Sequence, residues 1–351
     1  MALGLSLGLV SCDNANNAEV RSALEKREQA IEAGEKNLLQ LRREIDEREA
    51  LLDEIKVLQR TLQLQLEARE IRIEEQEKAL EQQRQALDDE LETVQKLREK
   101  LQARVRRGPA PAVVAQRAIV VDAKTGEVLF EKNADQRGPV ASTQKLLTAL
   151  LVVERGELDR EFEIVAQDTR AAPTRLGLEV GEHFTRRNLV TSLLVRSYND
   201  VAEALARDHS GSVAEFCEAM NQRAIELGMR DSKFANPHGL PDNSQYSTAR
   251  DLAKLAIYVD QQPKIREMVN LHQFTLERPD GREVALTNTN RVLRAHDWCD
   301  GMKTGFTRAS GFCLVASGEY NNRRSIVVVL NSTSGSVWED ARKLLAWSID
   351  V

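Results

Sequence analysis

Aromatic residues make up only 4% of this 351-residue chain, and none occurs before Phe130. A first third without a single ring cannot be an ordinary packed domain, so the chain divides into parts of different character. Histidine is equally scarce. Its five residues, at 183, 209, 238, 272 and 296, show no metal-ligand spacing, so neither a metal nor another cofactor is expected. The formal net charge is −6 and no basic cluster is interleaved with aromatics, which argues against a nucleic-acid partner. No apolar run is long enough to span a bilayer.

Cysteine is rare, with residues at 12, 217, 299 and 313. Cys12 ends the apolar run from Met1, which reads as the core of an export signal. Leu9-Val10-Ser11-Cys12 resembles the bacterial lipoprotein box, whose cysteine is acylated and becomes the mature N-terminus. The resemblance implies a lipidated Cys12, a membrane attachment and a place on the periplasmic face of the cell envelope. The competing reading is a plain export signal with a chance cysteine. Cys217 falls on an apolar helical face and is expected in the core. A disulfide between Cys299 and Cys313 is open in an exported protein, but a tight hairpin would set residue 303 opposite 313, so free thiols are favoured.

Proline is absent from residues 18–106, and glycine occurs there only at 34. What fills the stretch is Glu, Gln, Arg and Leu in a seven-residue repeat. Leu24, Ile31, Leu38, Ile45, Leu52, Leu66, Ile73, Leu80, Leu87, Val94 and Leu101 hold one seam, interrupted only by Gln59. Such a repeat predicts a left-handed coiled coil, on the order of 120 Å long. The second seam is patchy, with Leu41, Ile55, Leu62 and Leu97 among Arg27, Arg48, Arg69, Gln76 and Glu90. Two readings stay open, a dimerising stalk and a single solvated spacer helix. Residues 107–112, with Gly108, Pro109 and Pro111, end the rod as a stiff linker.

Residues 113–351 have the composition of a globular domain. Apolar β-branched runs at 118–121 and 127–130 read as a hairpin, and three further strands are expected at 298–304, 312–318 and 325–331. Between them lie helical patterns at 188–196, 200–208, 213–227 and 249–259, and a last helix covers about 338–349. The expected fold class is α+β: about five antiparallel strands with helices packed on them, plus a helical subdomain.

Ser142 stands three residues before Lys145, with Leu146, Leu147, Leu150 and Leu151 following at helical spacing. On a helix that spacing puts hydroxyl and amine on one face, where the amine can take the serine proton. Gly138 and Pro139 place the serine at the helix start, next to free N–H groups able to hold an oxyanion. By itself the pair also reads as a capping serine and a solvated lysine. Ser197-Tyr198-Asn199 and Lys303-Thr304-Gly305 follow in order, and the three motifs together are the signature of penicillin-binding serine hydrolases.

From 117 to 349 the chain resembles the D-alanyl-D-alanine carboxypeptidases of the S11 peptidase family. Val121–Phe130, Asn199–Ala202, Asn236-Pro-His-Gly-Leu240, Asn288-Thr-Asn290 and Gly301–Thr307 carry the resemblance besides the three motifs. It implies a β-lactamase/DD-peptidase-like fold that trims the terminal D-alanine from peptidoglycan stem peptides and is acylated by β-lactams. It also implies Ser142 as nucleophile, Lys145 as base, Lys303 as the second cation that depresses it, and Ser197 as proton shuttle to the leaving group. Asn199 would bond the substrate peptide, and Lys303, Thr304 and Gly305 the terminal carboxylate. The N–H groups of Ser142 and Phe306 would form the oxyanion hole. One departure stands out: many members place an arginine before the last helix, where this chain has Val337-Trp338, with Arg308 and Arg342 nearest in sequence. The alternatives are a DD-endopeptidase acting on cross-links and, from another class, a coiled-coil scaffold whose hydrolase-like domain only binds wall.

Overall fold

A computed structural model describes residues 13–171 and 173–351. They fall into two units that divide between Lys100 and Leu101. The first holds all but the last two turns of helix α1 (Asp13–Arg107), which is unbroken for 95 residues and so about 140 Å long. Its apolar seam, from Leu24 through Ile45 and Ile73 to Val94, is 46–70% exposed. The seam is thus an apolar stripe left in contact with water along the helix. No helix among the described residues is long and apolar enough to cross a membrane.

The second unit begins with strands β1 (Arg117–Asp122) and β2 (Val128–Lys132), an antiparallel hairpin. Asp122 makes its turn, accepting from the amides of Lys124 and Thr125 at 2.9 and 2.8 Å. A single 3-10 turn, Ala141–Gln144, then leads into α2 (Lys145–Arg155). Strands β3 (Glu161–Glu163) and β4 (His183–Thr185) pair before α3 (Arg186–Arg196) and α4 (Asn199–Ser210). The series continues with α5 (Val213–Glu226), α6 (Ala249–Asp260) and α7 (Pro263–Val269). A second small hairpin, β5 (Gln273–Glu277) and β6 (Glu283–Thr287), precedes the short α8 (Arg291–Ala295). The chain closes with β7 (Cys299–Thr307), β8 (Gly311–Tyr320), β9 (Arg323–Ser332) and α9 (Ser336–Ile349).

Five of the strands form one antiparallel sheet in the order β2-β1-β9-β8-β7. Both faces are covered, which explains why the strands read as continuous apolar runs. Ile119, Val121, Ile326 and Val328 face a core shared with α2, α3, α4 and α6. Their neighbours Ala118, Val120, Val327 and Val329 face a second core built with α8 and α9. The period of two sorts each strand's side chains between the layers.

The α+β architecture expected from the sequence is the one found. Two details differ. Residue 305, not 303, lies opposite Cys313, because β7 runs on to Thr307 and the turn closes at Gly311. Cys299 pairs with Gly318, and the two thiols belong to opposite cores of the sheet. Cys217, Cys299 and Cys313 are free and buried, as favoured above. The small sheets β3–β4 and β5–β6 and helices α7 and α8 were not anticipated.

Candidate active site

Ser142 sits in the 3-10 turn and Lys145 is the first residue of α2, so the turn lifts the serine to the helix N-terminus. Ala141, just before it, is held at a φ of +52°. Two glycines close on this turn from either side. A Cβ on Gly239, whose φ is +88°, would lie 2.1 Å from Ala141 O, and one on Gly305 would lie 2.9 Å from Ser142 N. Neither position tolerates a side chain, so β7 and the 236–240 loop grip the serine turn directly.

Lys145 is fully buried. Its Nζ lies 2.8 Å from Ser142 Oγ, 2.6 Å from Asn199 Oδ1 and 2.7 Å from His238 O. Burial, and after it the charge of Lys303, drives Lys145 well below the ordinary lysine range; Asp200 works the other way. Asp200 gives its oxygens to the amides of Leu176, Gly177 and Leu178, so it braces a loop instead of pairing with the amine. A neutral amine in this setting donates its two N–H groups to Asn199 and His238. Its lone pair is then left for the Ser142 hydroxyl, the arrangement a general base needs.

The His238 carbonyl also lies 3.1 Å from Ser142 Oγ. Its loop is bolted down at several points: Gln144 Nε2 donates to Asn236 O at 2.6 Å and Thr148 Oγ1 to Pro237 O at 2.6 Å. The His238 ring accepts from Leu240 N on Nδ1 and donates from Nε2 to Glu203, 3.0 Å away. Burial, helped by Lys145, holds His238 below its usual pKa in spite of Glu203, so the ring stays neutral.

Ser197 ends α3 at a φ of +71°, and Asn199, two residues on, opens α4. Left-handed backbone at two non-glycine residues flanking one cleft is the kind of local cost that surrounding structure must hold in place. Both ends of the Asn199 amide are engaged, Oδ1 by Lys145 and Nδ2 by Pro173 O at 2.5 Å. Its first role in this geometry is therefore to aim Lys145.

Lys303, Thr304, Gly305 and Phe306 lie along β7. Lys303 is buried, with Nζ on Thr304 O at 3.0 Å, and burial lowers its pKa to about 7. It stands behind the cleft, while Ser142, Ser197, Asn199, Thr304, Gly305 and Phe306 line a cavity of about 580 Å³. Phe306 is 53% exposed and lies against Phe312, ring centres 4.3 Å apart. Arg196, Arg291, Arg294 and Trp338 are also among the lining residues, whereas Arg308 and Arg342 do not reach the cavity. Arg342 is engaged by Glu339 at 2.9 Å.

The structure thus gathers all eight expected cleft residues around one cavity or directly behind it; Cys12 lies outside the described residues. Sequence reasoning missed Asp200, the His238 carbonyl, Gly239 and Arg291. Three of these lie in segments whose resemblance was visible, Asn199–Ala202 and Asn236–Leu240, but no side-chain chemistry marked their roles.

Residues 104–334 match the family model described as D-alanyl-D-alanine carboxypeptidase, peptidase family S11. The chain belongs to this family. Among curated relatives, the D-alanyl-D-alanine carboxypeptidase DacF of Bacillus subtilis is 32% identical over 63% of this chain and 58% of its own length. The D-alanyl-D-alanine endopeptidase of Escherichia coli is 31% identical over 68% of this chain and 78% of its own. Among solved structures, the carboxypeptidase DacD of Francisella tularensis superposes with a TM-score of 0.65 at 29% identity, covering 68% of this chain and 71% of that one. A D-alanyl-D-alanine carboxypeptidase of Mycobacterium tuberculosis gives 0.66 at 27% identity, covering 69% and 94%. The S11 match covers the globular part through β9 and leaves α9 and most of α1 outside it.

Proposed function

We propose that residues 113–351 act as a serine DD-carboxypeptidase that removes the terminal D-alanine from peptidoglycan stem peptides, and that β-lactams acylate the same serine. The observation that carries this is the buried, depressed Lys145 amine 2.8 Å from Ser142 Oγ. Lys145 takes the Ser142 proton as Oγ attacks the carbonyl of the penultimate D-alanine. The oxyanion is held by the N–H groups of Ser142 and Phe306. Ser197 passes a proton to the leaving D-alanine as the C–N bond breaks, and water then releases the acyl group from Ser142. Asn199 and the His238 carbonyl hold the amine throughout.

The finer expectations belong to the same reading. Acylated Cys12 ties the chain to a membrane, α1 carries the enzyme away from it, and a second copy covers the α1 seam. The lipoprotein-type box and the exposed heptad stripe support these points.

The deciding experiment uses a pentapeptide ending in D-Ala-D-Ala, with free D-alanine assayed and intact mass recorded after penicillin. Wild type is expected to release D-alanine and gain the adduct, and Ser142→Ala to do neither. An adduct without D-alanine release would move the substrate to cross-linked peptides, the endopeptidase alternative. Neither signal in wild type would reject the enzyme reading and leave the scaffold.

A further inference from the structure

Among the described residues no Asp or Glu lines the cleft, yet three arginines do: Arg196, Arg291 and Arg294. Among the described residues none of the three has a carboxylate within ion-pair distance. Cations left unpaired around a cavity of one sign raise the local concentration of an anionic ligand. Lys303 cannot serve as the direct contact, since its Nζ is buried on Thr304 O.

Arg291 differs from the other two in its mounting. Its guanidinium lies over the Trp338 ring, 5.3 Å from the centroid. A cation–π contact of this kind holds the guanidinium beside the indole without consuming its N–H donors, which an anion can use. Trp338 occupies the place where an arginine was expected before the last helix, so here the indole supports a cation brought from another element. The segment before Arg291 is also fixed. Thr289 Oγ1 lies 2.7 Å from Thr304 Oγ1, and Asn290 joins α8 to β7 by donating to Gly301 O at 3.0 Å while capping Val292 N at 3.0 Å. Thr304 and Arg291 are therefore parts of one rigid wall.

We propose that Arg291, laid on Trp338, receives the carboxylate that follows the scissile bond, together with the Thr304 hydroxyl. This assigns substrate selectivity to a residue of α8, and it rests on the peptidase reading above.

Two thioesters sharing one N-acyl-D-alanyl group test it, one with a thioglycolate leaving group and the other with the methyl ester of that acid. Wild type is expected to favour the acid in kcat/KM by about tenfold or more. Arg291→Gln should remove most of that preference, with the loss falling on KM for the acid. Arg291→Lys, which keeps the charge but not the bidentate guanidinium fork, should retain part of it. Arg342→Gln, outside the cleft, should behave as wild type. A preference that survives in Arg291→Gln, or is absent from wild type, overturns the proposal while leaving the peptidase reading standing. Turnover of neither thioester, or turnover that persists in Ser142→Ala, rejects the peptidase reading itself. An unchanged melting temperature for Arg291→Gln separates loss of selectivity from loss of fold.

Discussion

Gly305 stands so close to Ser142 that one added methyl group would meet the serine amide at 2.9 Å. The β7 strand is thus part of the nucleophile's mounting as well as a wall of the cleft. Gly305→Ala must push the turn away by several tenths of an ångström. The penicillin acylation rate is expected to fall by about tenfold or more, because even small misplacement of the reacting atoms is costly. Gly239→Ala is expected to be worse, since its φ of +88° adds backbone strain to a 2.1 Å clash. Its melting temperature should drop along with the rate.

The two buried lysines set the pH dependence. Below about 7 Lys303 carries the charge that helps keep Lys145 unprotonated, and removing that charge raises the Lys145 pKa. In Lys303→Met the acid limb of the acylation profile is therefore expected to move to higher pH. A profile identical to wild type would mean that burial alone depresses Lys145.

Stability follows with a definite sign. Unfolded lysines titrate near about 10.4, so above pH 7 the unfolded chain holds a proton at Lys303 that the folded one has lost. Where the unfolded state binds more protons, stability rises with pH, by at most about 1.4 kcal/mol per unit for each proton. Lys303→Met should flatten this rise and be the more stable form at pH 7. Urea midpoints at pH 7 and 9 check both statements.

Glu203 acts on the site through His238. Removing it leaves the His238 Nε2 proton without its acceptor and loosens the loop whose carbonyl meets Lys145. Glu203→Ala is expected to lower kcat about tenfold with little change in KM, and Glu203→Gln, which can still accept, to recover most of it. Steady-state kinetics on the pentapeptide would separate the two parameters.

The α1 seam makes its own prediction. Residues 18–106 alone should sediment as a dimer, and replacing Leu52 and Leu66 by lysine should make them monomeric, since a charge at a seam position must be desolvated to pair. A wild-type monomer would leave α1 as a spacer.

Much of this molecule was legible in its sequence, for reasons that can be located. Strands β1, β8 and β9 announce themselves because both their faces are buried and their central residues are apolar. Strands β3 and β4 do not, since Glu-Phe-Glu and His-Phe-Thr offer one buried residue each. The β7–β8 register was misplaced because Thr307-Arg-Ala-Ser-Gly311 carries no sharp turn signal. Its geometry depends on Gly311 fitting against Asn331, at a φ of +63°. Ser142, Lys145, Ser197, Asn199 and Lys303 were readable because their chemistry lies in side chains at set spacings. The His238 carbonyl was hidden because any residue supplies a carbonyl, and Arg291 because its place beside Trp338 depends on α8 meeting α9 across the fold.

The pairing of β1 with β9 has a consequence for how the chain is made. Ala118 lies opposite Val329, so the middle of the sheet joins its earliest strand to its latest. A chain growing from its N-terminus holds β1 and β2 as a bare hairpin, marginal in water, until β9 exists. Long-range closure of this kind is slow and comes late. The central sheet therefore sets only once nearly all of the polypeptide has been synthesised.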